Sequence, residues 1–254
     1  MPALLLSVGL ALLAQGTESS TERVRSSRPT SLSAFVFNKG QWPEHVLAIR
    51  RFPDLEIQVR SDGVWMVARR ATRGPVNGQD ISIDRFHTHA VRLGLDGATI
   101  DGVSGTGGPG RVWSFFGQDD LGDLEIRTVP GFDEITVEDA LPGVDWIWRV
   151  DGSGRPEFDF ELDAGAPTES IRMTIDGGEL RVTPEGRLEI RSALGAFTCS
   201  APRAFDSADR LRPSSWQSLG HQRAGFSTPD RVVGEQLTID PSVEYSTFVG
   251  TTFG

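Results

Sequence analysis

Apolar and polar residues alternate one by one through much of this chain, and few folds are compatible with that period. Leu55, Ile57 and Val59 alternate with Glu56, Gln58 and Arg60, and Val91, Leu93 and Leu95 with Arg92, Gly94 and Asp96. The pattern returns at Val144, Trp146, Trp148 and Val150, at Phe158, Phe160 and Leu162, and at Ile171, Met173 and Ile175. Successive side chains of a strand point to opposite faces, so each segment offers one face to a core and the other to water. Turn signals separate the segments: Ser61-Asp62-Gly63, Asp96-Gly97, Asp151-Gly152-Ser153-Gly154, Asp176-Gly177-Gly178 and Pro184-Glu185-Gly186. No window of a dozen residues sustains a helical period, and the least patterned stretch, 206–222, reads as a loop or a short helix. Short strands between Gly and Asp turns predict an all-β chain, an antiparallel β-sandwich-like fold with little helix.

The same reading divides the chain. Residues 1–16 read as a secretory signal peptide: an apolar run from Leu4 to Leu13, too short to span a bilayer, leads to Ala14-Gln15-Gly16, with small residues where a signal peptidase reads. No Lys or Arg precedes the run, which departs from the usual pattern. No other run approaches membrane-spanning length. Ser-, Thr- and Arg-rich residues 17–34 read as a disordered linker, 35–240 as the all-β module, and 241–254 as the start of a truncated downstream repeat region. The last assignment rests on Tyr245 to Val249, which reads as a strand followed only by the apolar, Gly-punctuated tail to Gly254. Within the module, Val91 to Gly97 echoes Ile171 to Gly177, and the hairpin Leu55 to Val67 echoes Glu179 to Ile190. Two similar lobes and chemically generic hairpins both account for the echo. On the first account the Gly-rich stretch 102–111 is the seam.

Chemistry is sparse. The net charge of −10 argues against nucleic acid and anionic membrane surfaces as partners. The single cysteine, Cys199, has no intrachain disulfide partner and reads as a small buried residue on a strand. His87 and His89 share a strand face at a chelating spacing, without an evident third ligand. The acidic ladder Glu157, Asp159, Glu161 and Asp163 lies opposite Phe158 and Phe160 and reads as a solvated face. Its alternatives are paired catalytic carboxylates, which would need a partner across a cleft at ~5–10 Å, and calcium ligands. Asp151-Gly152-Ser153-Gly154 and Asp119-Asp120 would be the loop carboxylates for calcium, but no EF-hand spacing is present. There is no Gly-x-Ser-x-Gly, P-loop, His-Glu-x-x-His or dinucleotide fingerprint. No catalytic, cofactor-binding or metal residue is therefore assigned, no cofactor is expected, and the chain is not expected to be an enzyme.

Four segments, in this order, carry a resemblance. They are Phe37-Asn38-Lys39-Gly40-Gln41-Trp42; Trp113 to Asp119 followed by Val129-Pro130; Leu141-Pro142-Gly143-Val144-Asp145-Trp146-Ile147-Trp148 with Pro156 to Phe160; and Leu237 to Gly250. Together they resemble the N-terminal domain, of unknown function and DUF7948-like, of bacterial secreted proteins that carry SBBP-type β-propeller repeats. The resemblance covers roughly 35–250 and departs from the family at Thr251 to Gly254, where repeat sequence would follow, and at Trp146 and Trp148, where other residues are usual. It brings no established catalytic residues. It implies a secreted or cell-surface module that caps or presents downstream propeller repeats of the same polypeptide, with an extracellular protein or polysaccharide as further partner. The alternative is a carbohydrate-binding or carbohydrate-active domain, for which Trp65, Trp113, Trp146, Trp148 and Trp216 would have to line an exposed groove.

Overall fold

The computed structural model describes residues 32–247, apart from 77–78, 109–110, 119–123 and 233. The expected signal peptide, most of the linker, the Asp119-Asp120 pair and the tail after Thr247 lie outside the described residues. In chain order the first strands are β1 (Leu32–Phe37), β2 (Val46–Arg51), β3 (Leu55–Arg60), β4 (Gly63–Val76), β5 (Gln79–Leu95), β6 (Ser104–Thr106) and β7 (Val112–Gln118). Next come β8 (Leu124–Phe132), β9 (Glu134–Leu141), β10 (Val144–Val150), β11 (Pro156–Leu162), β12 (Met173–Asp176), β13 (Glu179–Val182) and β14 (Leu188–Arg191). The last are β15 (Gly195–Cys199), β16 (Arg203–Asp206), β17 (Leu211–Arg212), β18 (Ser215–Gly220), β19 (Arg223–Ser227), β20 (Leu237–Asp240) and β21 (Val243–Thr247). The one helical element among the described residues is a 3-10 turn at Thr168–Ser170. Among the described residues no helix is long and apolar enough to cross a membrane.

The strands form three antiparallel sheets, so the all-β, sandwich-like expectation holds. The largest runs β18-β19-β12-β5-β4-β3-β2-β1-β8-β7, the second β17-β16-β20-β11-β10-β9-β6, and the third β13-β14-β15-β21. The alternating apolar residues point inward from all three. Ile57, Met66 and Leu93 of the first sheet, Trp146, Trp148, Phe158 and Phe160 of the second, and Ile190 and Phe197 of the third belong to one continuous buried cluster. Each such side chain contributes roughly 1.5–3 kcal/mol by leaving water. Register fixes the aromatic centre: β10 and β11 set Trp146 across from Phe160 and Trp148 across from Phe158. Trp146 stacks on Phe160 with centroids 5.6 Å apart, and Phe160 meets Phe226 of the first sheet edge-on at 5.7 Å. A smaller cluster of Leu32, Val36, Val46, Ile49 and Val129 lies beneath Trp42, Trp113 and Phe115.

Several boundaries move. β1 begins at Leu32, with Leu32 and Ala34 buried and Ser33 exposed, so residues 32–34 are strand and not linker. A strand with serine on its outer face has the composition of a linker, which is why the boundary read at 35 falls late. Val243–Thr247, within the stretch read as the start of a downstream repeat region, is paired along its length with β15, and Val243 is in the core, so these residues pack on the module. The poorly patterned 206–222 stretch holds β17 and β18. The echoing segments Val91 to Gly97 and Ile171 to Gly177 lie in β5 and β12, which are direct neighbours with Leu93 across from Ile175. The echo therefore marks two adjacent strands of one sheet, and the expected seam supplies β6, which pairs with β9 in the second sheet.

Candidate functional site

Strand β11 explains how acidic residues come together. Its core face carries Phe158 and Phe160, so Glu157 and Asp159 share the opposite face. Its two neighbours decide what they meet. On one side β10 sets Arg149 across from Glu157 and Ile147 across from Asp159. On the other, β20 pairs Phe160 with Ile239, and an isolated bridge of the same register links Glu157 with Ser242, which brings Asp240 beside Asp159. Oxygen atoms of Glu157, Asp159 and Asp240 all lie within 4.8 Å of one another.

Arg149 is the cation bridged to this group among the described residues. It donates to Glu157 Oε1 at 2.9 Å, pairs with Asp159 Oδ2, and stands 3.9 Å from Glu134 Oε2. Asp159 is only 2% exposed, and Ile147 beside it is buried too, so this part of the outer face is withdrawn from water. The second carboxylate oxygen, Asp159 Oδ1, meets no partner among the described residues. Burial pushes the Asp159 carboxyl up to about 7, with Asp240 and Glu157 adding to the rise and Arg149 opposing it. Burial likewise raises Glu157, with Arg149 opposing the rise and the neighbouring Asp240 carboxylate adding to it. Three hard oxygen donors at this spacing are of the type that holds calcium, magnesium or a proton.

The expected solvated ladder is thus split. Glu161 and Asp163 are exposed, whereas Glu157 is half-buried and Asp159 is buried. Period-two reading placed all four on one face and assumed that face was wet. It missed Asp240, which arrives from a strand remote in sequence. It also missed Glu56, read as polar and outward but only 3% exposed, where it accepts from Arg51, from Gln58 and from Arg69 Nη2 at 2.6 Å. The available signal was Arg51, which the β2–β3 register places across from Glu56.

The other singled-out residues do not converge on a site. His87 is exposed on β5, and His89 Nε2 lies 2.5 Å from the Gly177 carbonyl oxygen. Neither joins a group of three metal-type ligands among the described residues. Asp151 caps its own turn, accepting from the Ser153 and Arg155 backbone N–H groups at 2.8 and 2.9 Å. Cys199 is buried on β15, and burial pushes its thiol up to about 12. Asn38 builds the loop before Trp42, donating to the Trp42, Pro43 and Val46 carbonyls at 3.0, 3.0 and 2.7 Å. Gly40 there takes φ +95°, where a side chain would be strained. Of the tryptophans that a sugar groove would need, Trp146, Trp148 and Trp216 are buried, Trp65 packs under Arg60, and Trp113 covers the smaller core. Among the described residues these five rings form no aromatic platform: four pack in or against the core, and Arg60 covers the fifth.

A three-sheet antiparallel module whose polar outlier is a carboxylate cluster is the class this fold defines. A family model described as a domain of unknown function (DUF7948) matches residues 35–242, and the chain belongs to that family. No curated protein and no solved structure matches it.

Proposed function

We propose that this chain is a non-enzymatic β module of a secreted or cell-surface protein, one that caps or presents β-propeller repeats downstream in the same polypeptide. The leader-like residues 1–16, the acidic charge and the resemblance of the four sequence segments favour export and the repeat context. The observation that carries the reading is the position of β21. It follows β20 out of the second sheet and lines the outer edge of the third, bonded to β15 on one side and to no strand on the other among the described residues. An open edge of this kind presents unpaired N–H and C=O groups that a neighbouring strand can continue. Repeat arrays need a unit covering the edge of their first repeat, and β21 hands the chain on at such an edge.

The test is hydrogen exchange at Val243–Thr247, measured in this chain alone and in the polypeptide carrying its repeats. The amides on the outer edge of β21 should gain at least tenfold protection when the repeats are attached. Unchanged exchange, with the repeats folded, would defeat the capping role.

A further inference from the structure

We propose that Glu157, Asp159 and Asp240 form a binding site for one divalent cation of the calcium class. Carboxylates repel one another, and three drawn within 4.8 Å need a positive charge among them. Arg149 supplies one, but it engages Glu157 Oε1 and Asp159 Oδ2 and leaves Asp159 Oδ1 buried without a partner among the described residues. A buried carboxylate oxygen ordinarily finds a donor or a metal, because leaving it bare costs about 1–3 kcal/mol or more. Charge gives the valence. A cation entering the group displaces any proton held there, and the three ionised carboxylates with the Arg149 guanidinium then carry two net negative charges, which one divalent cation neutralises.

Chemistry gives the class of ion. The donors are all carboxylate oxygens, hard ligands that suit calcium or magnesium over zinc or copper. Calcium accepts irregular oxygen shells at 2.3–2.6 Å, so donors on opposite sides of it stand up to about 5 Å apart, which matches the observed spread. Magnesium keeps several waters in a strict octahedron. Either ion would complete its shell with water, which Glu157 and Asp240, only partly buried, leave access for, so the wide spacing of the donors is what favours calcium. The strands bearing the ligands are central in their sheet, so the site is held rigidly and does not depend on a loop. This inference stands independently of the role in a repeat protein.

The experiment is calorimetric titration of the full chain, after EDTA treatment, with calcium chloride and separately with magnesium chloride, paired with thermal melts. One calcium should bind per chain, and the melting temperature should rise by about 5–10 °C at calcium a hundredfold above Kd. Asp159→Asn and Asp240→Asn should each weaken calcium binding at least ~10-fold, while Glu44→Gln, an exposed carboxylate elsewhere, should leave it unchanged. Without calcium, Asp240→Asn should melt no lower than the native chain, because it removes repulsion. A purely structural carboxylate would behave the opposite way. Absence of both heat and stabilisation with calcium overturns the proposal, as does magnesium binding without calcium binding. Full calcium affinity retained in both Asn variants would also overturn it, and if either variant fails to fold, Glu157→Gln takes its place.

Discussion

Two buried tryptophans allow the cost of an orphaned polar group to be measured against an internal control. Trp148 is 0% exposed and its Nε1–H meets no acceptor among the described residues, whereas Trp216 is 5% exposed and donates to the Ser200 carbonyl at 2.7 Å. Trp148→Phe and Trp216→Phe delete the same atoms from two buried sites, so the transfer and cavity costs are similar. They differ in the N–H. At Trp216 the substitution loses a hydrogen bond worth about 0.5–1.5 kcal/mol net, while at Trp148 it removes a desolvated donor that costs about 1–3 kcal/mol to keep. Trp216→Phe should therefore be the more damaging by about 1.5–4.5 kcal/mol. Urea denaturation at pH 7, followed by far-ultraviolet circular dichroism, reads the difference as a shift of midpoint at constant slope. In thermal melts each kcal/mol corresponds to roughly 2–4 °C for a domain of this size. If Trp148→Phe proves equally or more destabilising, the indole N–H of Trp148 is not an orphan and the reasoning fails.

Three further outcomes follow from the same structure. Burial pushes the Glu56 carboxyl up, but hydrogen bonds from Arg51 and Gln58 together with the charges of Arg51 and Arg69 bring it below its ordinary 4.5. A carboxyl lower in the folded state stabilises above its unfolded value and loses that contribution as pH falls through the folded one. Acid titration of stability should thus show a limb below about pH 4.5 that Glu56→Gln makes shallower, with Asp206 and other lowered carboxyls keeping the remainder, at a cost of about 3–5 kcal/mol at pH 7. Gly177 has φ +80° and an added Cβ would lie 2.3 Å from the Ala90 carbonyl oxygen, while Gly97 at φ +79° has open space around it. Gly177→Ala should cost clearly more than Gly97→Ala, which bears only the backbone strain of about 1 kcal/mol, as judged by urea midpoints. Cys199 should react with a thiol reagent at pH 8 only after denaturant is added, since its thiol is buried and held up to about 12.

How far the sequence reveals this molecule depends on whether one strand or several decide the outcome. Which residues of a strand face the core is a property of that strand, and the alternation at Leu55, Ile57 and Val59 or at Trp146 and Trp148 identifies buried positions correctly. The turns at Asp62-Gly63 and Asp176-Gly177 are equally local, and Gly63 and Gly177 take the positive φ that those positions require. Whether the other face is wet is not local. Glu56 and Asp159 look like Gln58 and Glu161 in sequence, yet the first two are buried and the latter two are not. What distinguishes them is the identity of the neighbouring strand: Arg51 comes from an adjacent hairpin and could be paired by counting, while Asp240 comes from β20, inserted between β11 and β16 by a long-range crossover. Alternation cannot supply that crossover, because antiparallel pairings of any two amphipathic strands bury their apolar faces equally well. The polar face is where the pairing leaves its mark, since only the actual neighbours determine whether a carboxylate meets a guanidinium, another carboxylate or water. In an all-β chain of this kind the core is therefore legible first, and the chemistry of the outer face becomes legible only once strand order is known.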